Sequence, residues 1–316
     1  MSICDFLFSA DLCVPDAAAC LETLKSGLGL PQPGPGAFVK YDESGWDVVF
    51  ALVNKAFAAA PTRLEIIAPP DAAGPRPERF GRRVYEEQGP RAWRTHATVV
   101  AVPDLDALAE RVRAQGLRAW FEPMGENVPF DKLWMGSAVG DIGDYDPTAD
   151  DGFRFEFIPS NSVAFSPKLF ETPTDTPRPG ETGFRRIRHR AFLVADLDAS
   201  LRALETKFGW SPAGAVRDEP GRGYRFADMS ANHGHGAGLR LVQAADPDSA
   251  TGRDFAAQGP GPYTITIAAY DLAATAADLE ARGTAFTRLA ASAGEPEALV
   301  PDLGEVGAPF VIVPDA

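Results

Sequence analysis

The sequence predicts an α+β protein built from four βαβββ modules that pair into two domains. Three observations support this fold class. A pattern of apolar strand, aspartate, amphipathic helix and further strand occurs four times. In each copy three strands with alternating polarity follow the helix. A proline-rich stretch separates the second copy from the third.

Each copy has an aspartate at the point where the helix is predicted to begin, namely Asp16, Asp104, Asp196 and Asp271. An aspartate there accepts hydrogen bonds from backbone N–H groups and favours the positive end of the helix dipole. The four aspartates therefore predict four helix starts.

The second copy shows the helical pattern most clearly. Leu105, Leu108, Ala109 and Val112 recur at the spacing of one helix face, and Gly116 supplies a left-handed end. A strand is predicted on either side of this helix.

Residues 158–182 are rich in proline and have neither helical nor strand periodicity. They predict a linker over 161–182, between an N-terminal domain over 1–160 and a C-terminal domain over 183–316. A length of 316 residues suits two domains of ordinary size.

Composition restricts the partners of the protein. With 30 Lys and Arg against 44 Asp and Glu, the net charge of −14 argues against nucleic acid and anionic membrane surfaces. No apolar run reaches the roughly 18 residues of a membrane span, and the N-terminus lacks a basic signal-peptide region. The three cysteines, Cys4, Cys13 and Cys20, suit reduced core residues. We therefore expect a cytoplasmic protein with a small-molecule partner.

A tandem of βαβββ modules whose helices begin at aspartate resembles the vicinal oxygen chelate superfamily, which includes glyoxalase I, methylmalonyl-CoA epimerase, bleomycin-binding proteins and extradiol dioxygenases. The resemblance covers nearly the whole chain. It implies two glyoxalase-like cup domains, with metal ligands on the first and last strands of each module. It leaves the reaction open, because the same cup serves several enzymes and some non-enzymes. A homodimer stays an open alternative, since such cups are sometimes completed across a dimer.

The sequences Arg-Leu-Glu-Ile-Ile at 63–67 and Arg-Phe-Glu-Phe-Ile at 154–158 occupy matching last strands. The resemblance implies that Glu65 and Glu156 point into the N-terminal cup as metal ligands, one of them acting also as the acid–base catalyst. His96, at the start of the second module, is the third expected ligand. The alternatives are solvated Arg–Glu pairs for the glutamates and a strand-edge histidine for His96.

The C-terminal cup is expected to be degenerate. His189 stands at a ligand position, but Arg240 and Val311 stand where the resemblance implies glutamates. A charged Arg240 beside His189 would repel a cation. If this cup nonetheless carries the site, the candidate residues are His189, His233, His235 and Tyr263.

Three functions follow from the resemblance. The first is a divalent-metal-dependent lyase or isomerase that stabilises an enediolate or enolate of a substrate with vicinal oxygens. The donor types suit Zn, Ni, Co, Mn or Fe(II). The second is an extradiol-type dioxygenase with Fe(II) or Mn(II), a class whose C-terminal domain supplies two histidines and a glutamate. The third is a metal-free small-molecule binding or resistance protein, so an enzyme is expected with a non-enzyme as the alternative.

Overall fold

The computed structural model of the chain describes residues 2–41, 46–54, 61–68, 98–123, 131–136, 155–160, 183–292, 294–304 and 310–315. Everything below concerns these residues.

The N-terminal half contains two modules. The short strand β1 (Phe6–Leu7) precedes a first module of β2 (Ser9–Cys13), α1 (Ala17–Leu28), β3 (Phe38–Tyr41), β4 (Trp46–Ala51) and β5 (Arg63–Ala68). The second module consists of β6 (Thr98–Val102), α2 (Leu105–Ala114), β7 (Arg118–Pro123), β8 (Asp131–Gly136) and β9 (Phe155–Pro159). The sheet orders are β2-β5-β4-β3 and β6-β9-β8-β7, and β1 pairs antiparallel with β6. Because β1 runs into β2 across a single residue, the two sheets lie side by side.

The C-terminal half repeats this arrangement. Its third module consists of β10 (Phe184–Leu193), α3 (Leu197–Phe208), β11 (Arg217–Glu219), β12 (Tyr224–Asp228) and β13 (Gly238–Ala244). A connecting helix follows, α4 (Ala250–Gln258), and then the fourth module of β14 (Gly261–Ala269), α5 (Leu272–Ala281), β15 (Phe286–Leu289), β16 (Ala298–Pro301) and β17 (Phe310–Pro314). All eight strands form one sheet, ordered β11-β12-β13-β10-β14-β17-β16-β15. The predicted α+β fold of four βαβββ modules is confirmed.

The four predicted helix starts are also confirmed. The side chains of Asp16, Asp104, Asp196 and Asp271 each accept a hydrogen bond of 2.9 Å from the backbone N–H three residues later. Each of these bonds satisfies an N–H that the helix itself leaves unpaired. One local signal thus fixes where every module turns from its first strand into its helix.

One hydrophobic cluster spans both halves. On β5, Leu64 and Ile66 are fully buried in this cluster. Across the halves, the ring of Phe155 lies 5.5 Å from that of Phe208 and 5.7 Å from that of Trp210, between centroids. The halves therefore pack through their helix-bearing faces, and the other face of each sheet is left for the cups.

Two arginines connect the N-terminal and C-terminal halves, because each caps the C-terminal end of a helix in the other half. Arg111 of α2 donates to the carbonyl of Glu205 at the end of α3, at 3.1 Å. Arg282, after α5, donates to the carbonyls of Lys25 and Ser26 at the end of α1, at 3.5 and 3.4 Å. A guanidinium suits a helix C-terminus because of the unpaired carbonyls and the dipole there.

The predicted linker over 161–182 lies outside the described residues. The domain bounds 1–160 and 183–316 accordingly stay a prediction. The described helices and strands fall within 6–159 and 184–314.

The three cysteines are buried, and they form no disulfide among the described residues. Burial, with a smaller contribution from Asp16, raises the pKa of the Cys20 thiol to about 12, so this thiol is not a ready nucleophile. In the described part of the chain, we find no helix with the length and apolar character needed to cross a membrane.

We predict that Gly209→Ala destabilises the protein more than Gly116→Ala. Both glycines have a φ of 75°, where a side chain costs about 1–2 kcal/mol. A Cβ at Gly209 would also lie 2.8 Å from Cζ of Arg111, whereas a Cβ at Gly116 meets nothing within 4 Å. Urea unfolding of both variants gives the two losses. Equal losses of unfolding free energy in the two variants would show that contact with Arg111 adds no cost at position 209.

Candidate functional site

The N-terminal cup contains a group of buried acidic side chains. Asp11 on β2 lies opposite Glu65 on β5 in a parallel pair, so both side chains extend from the same face. Glu65 is 8% exposed, and Glu156 on β9 is 6% exposed. This face is opposite to the one on which Leu64 and Ile66 enter the core.

The electrostatics show that these carboxyl groups interact. Burial is the largest cause that raises the pKa of Glu65 well above its usual range, and the charges of Asp11 and Glu156 raise it further. A hydrogen bond from the Ser9 hydroxyl and the charge of Lys132 act in the opposite direction. The fold thus brings together the two glutamates that the sequence selected from separate modules.

Lys132 on β8 brings a positive charge to this acidic group. Its Nζ lies 3.5 Å from Oε1 of Glu156, 4.0 Å from Oε2 of Glu122, and 5.2 Å from the ring centroid of Trp134. Sequence reasoning missed Lys132 and Asp11. Strand alternation was the available signal, because Trp134 pairs with Glu156 on β9, and Lys132 lies two residues before Trp134.

An apolar wall adjoins the carboxylates. Val99 pairs with Glu156 in the parallel register of β6 and β9, so Val99 and Ile158 lie on the cup side. There they form a cluster with Phe6, Ala101 and the partly buried Phe8. The guanidinium of Arg63 lies 4.5 Å from the ring centroid of Phe8. The cup thus offers carboxylates at its centre and an aromatic surface beside them.

The structure describes two of the three predicted metal ligands. Glu65 and Glu156 are buried, in contrast to the solvated Arg–Glu alternative, while His96 lies outside the described residues. Within the part of the chain that the structure describes, no group of three or more His, Cys, Asp or Glu side chains is arranged to hold a metal ion. The ligand role of these three residues stays a prediction.

The C-terminal cup has a different centre. Nε2 of His189 lies 3.7 Å from Oδ1 of Asp228, which also accepts from Nε of Arg240 at 2.6 Å. Burial, followed by the charge of Arg240, lowers the pKa of His189 well below its usual range. The guanidinium of Arg240 beside this imidazole disfavours a cation there.

Thr266 on β14 lies opposite His189 in this cup, since it pairs with His189 on one side and with Val311 on the other. The register between β10 and β14 shifts at three places.

The other members of the alternative C-terminal set have different partners from those of His189. The ring of His233 lies edge-on to that of Phe6 at 5.6 Å, and the ring of His235 lies 5.9 Å from that of His233. The hydroxyl of Tyr263 donates to Asp254 at 2.7 Å. The histidine loop therefore packs on the N-terminal half, where the backbone N–H of His233 donates to the carbonyl of Asp5.

Comparisons with known proteins show the fold. No family model and no curated protein matches the chain. A triple mutant of 4-hydroxymandelate synthase from Streptomyces coelicolor aligns with 98% of this chain and 92% of its own, at a TM-score of 0.62 and 14% identity. A fusion of a xylose isomerase-like TIM barrel with 4-hydroxyphenylpyruvate dioxygenase aligns with 99% of this chain and 49% of its own, at a TM-score of 0.60 and 17% identity. Methylmalonyl-CoA epimerase from Streptomyces coelicolor covers 42% of this chain and 99% of its own, at a TM-score of 0.38 and 22% identity. The predicted tandem arrangement of glyoxalase-like domains is confirmed.

We predict that Glu65→Gln stabilises the metal-free protein at about pH 7, and that the gain shrinks as the pH falls towards about 4. The pKa of Glu65 is higher in the folded than in the unfolded chain, so ionisation at neutral pH opposes folding. Glutamine stays neutral at every pH. The free energy of unfolding in urea, measured after EDTA treatment at both pH values, gives the difference.

Glu110→Gln, at an exposed position of α2, is the matched control and is expected to behave like the wild type at both pH values. A Glu65→Gln protein that is less stable than the wild type at neutral pH would show that the Glu65 carboxylate is compensated in the folded state.

Proposed function

Because the chain has the tandem two-cup fold of the vicinal oxygen chelate superfamily, we propose that its N-terminal cup is the active site of a divalent-metal-dependent lyase or isomerase. The substrate would be a small molecule with two adjacent oxygen atoms. The observation that carries the proposal is the burial of Glu65 and Glu156, from equivalent strands, on one cup surface. Two buried carboxylates that raise each other's proton affinity need a cation or a proton between them.

The chemistry of the donors fits a divalent ion. Carboxylate oxygens bind such ions well, and Glu65 and Glu156 would hold the metal together with the predicted ligand His96. When bound, the ion would act as a Lewis acid that makes a C–H bond next to the chelating oxygens more acidic.

The protein's own groups would move the proton and place the substrate. Glu65, whose pKa is raised by burial and by the neighbouring carboxylates, would serve as the acid–base catalyst. The Ser9 hydroxyl donates to the carboxylate of Asp11, which lies beside Glu65. The aromatic wall around Phe6 and Phe8 would exclude water and bind the apolar part of the substrate.

The structural neighbours support the superfamily and leave the reaction to this proposal. The similar structures include an epimerase, a synthase and a dioxygenase. The dioxygenase alternative has less support in this chain, because Arg240 and Val311 stand at the positions where the C-terminal cup would need glutamate.

We predict that Glu65→Gln and Glu156→Gln each lower the metal content of the purified protein well below that of the wild type. Each substitution removes one charged ligand and keeps the shape of the side chain. Elemental analysis after incubation with Zn, Ni, Co, Mn or Fe(II) and desalting measures the bound metal. Glu122→Gln is the matched control, since Glu122 lies at the same cup but is 36% exposed at its side chain. Unchanged metal content in both variants would contradict the proposal.

A metal-free binding protein is the second candidate, and Lys132 is the observation that favours it. Its ammonium group, 3.5 Å from Glu156, already supplies a positive charge where a metal would act. Lys132→Met separates the two functions. If the cup is a metal site, removal of the competing ammonium charge is expected to tighten metal binding. If Lys132 itself neutralises the buried carboxylates, the variant is expected to be less stable than the wild type and to bind no metal.

A further inference from the structure

The histidine loop, residues 230–237 of the C-terminal half, is hydrogen-bonded to the segment around β1. The backbone N–H of His233 donates to the carbonyl of Asp5 at 2.8 Å, and that of Leu7 donates to the carbonyl of Ala237 at 2.8 Å. The strand β1 also pairs with β6 of the N-terminal half. It therefore lies between the two halves and is held by both.

Thr62 connects the end of this loop to the strand that carries Glu65. Its hydroxyl donates to the carbonyl of Leu7 at 2.6 Å and accepts from the backbone N–H of Ala237 at 2.7 Å. Thr62 is buried and directly precedes β5. The histidine loop is thus bonded to β1 and, through Thr62, to β5, two strands that build the N-terminal cup.

The side chain of Phe6 packs directly against the histidine loop. The ring of His233 lies edge-on to that of Phe6, with 5.6 Å between centroids. A Cβ added at Gly236 would lie 3.0 Å from Cγ of Phe6 and closer still to its Cβ. Because Phe6 is fully buried in a close-packed cluster, a displacement on the loop side is passed on to the cup side.

On the cup side, Phe6 supports the apolar wall. It pairs with Ala101 of β6 and belongs to the same cluster. Phe8 lies two residues further on the same face, and its partly buried ring is 6.3 Å from the partly buried ring of Phe50. Phe50 lies opposite Glu65 in the pairing of β4 with β5. The accessible part of the wall is therefore next to the carboxylate at which the substrate would bind.

We propose that His233 and Gly236 are positioning residues of the N-terminal cup, although they belong to the C-terminal half. By fixing Phe6 and Phe8 they would set how well the cup binds an apolar group beside the two vicinal oxygens of its substrate. The proposal rests on the proposed function, because it takes a metal at Glu65 to hold those oxygens. It gives the C-terminal half a part in substrate selection.

Isothermal titration of the full chain with benzohydroxamate and acetohydroxamate tests this role. The chain is first loaded with the ion that elemental analysis finds bound to the wild type. Both probes offer two adjacent oxygens to a metal, and they differ in carrying a phenyl or a methyl group. The ratio of their dissociation constants, compared between variants, reports the apolar wall. The wild type is expected to prefer benzohydroxamate by about tenfold or more.

Two pairs of variants separate contact with Phe6 from a general effect on the loop. His233→Ala removes the ring behind Phe6, and Gly236→Ala places a methyl group against it. Each is expected to lower the preference by about threefold or more. His235→Ala and Gly234→Ala are the matched controls, since the ring of His235 lies 5.9 Å from that of His233, and a Cβ at Gly234 meets nothing within 4 Å in the described part of the chain. Neither glycine has a positive φ, so alanine fits the backbone at both positions.

The possible outcomes are distinct. A general loss of stability weakens both probes alike and leaves the ratio unchanged, and if Gly236→Ala does not fold, His233→Ala decides. If neither hydroxamate binds the wild type, the proposed function fails and the positioning role fails with it. If both bind, an unchanged ratio in either folded variant, or an equal fall in the two controls, would overturn the positioning role alone.

Discussion

The antiparallel contact between the first strands of paired modules is the constraint on which both cups depend. A single module has one helix and four strands, so it covers only one face of its sheet. Pairing β10 with β14 joins two modules into one eight-stranded sheet in the C-terminal half. In the N-terminal half β1 makes this contact with β6, and β2 is left to pair with β5. The parallel pairing of β2 with β5 places Asp11 directly beside Glu65, as that of β10 with β13 places Ala191 beside Arg240.

The same framework supports opposite electrostatics in its two cups. The N-terminal cup buries Asp11, Glu65 and Glu156 around Lys132, so its charge favours a cation or a bound proton. The C-terminal cup places Arg240 on the strand position that matches those glutamates. Exchanging a carboxylate for a guanidinium there reverses the charge at the matching position of the cup. The duplicated scaffold therefore fixes these strand positions, and the side chains at a few of them determine the charge of each cup.

Local signals in the sequence predicted the fold well, and the sites only in part. The four aspartates cap their helices, and the two Arg-x-Glu-x-Ile strands bring Glu65 and Glu156 to one surface, because both signals act within a few residues. The residues that face each other across β10 and β14 depend on register shifts, which residue counting does not show. Glu295 reaches the cup from a loop between β15 and β16, far along the chain from its partner Arg240. Such long-range pairs leave no pattern in a single sequence.

One buried arginine joins the two cups. Arg190 follows His189 on β10, is 1% exposed, and donates to the backbone carbonyl of Asp11 at 3.0 Å. Burial lowers its pKa to about 10, while the charge of Asp11 acts in the opposite direction and keeps the guanidinium protonated. The carboxylate of Asp11 in turn raises the pKa of Glu65. A change at Arg190 would therefore alter the charge beside Asp11, and the proton affinity of Glu65 would change with it.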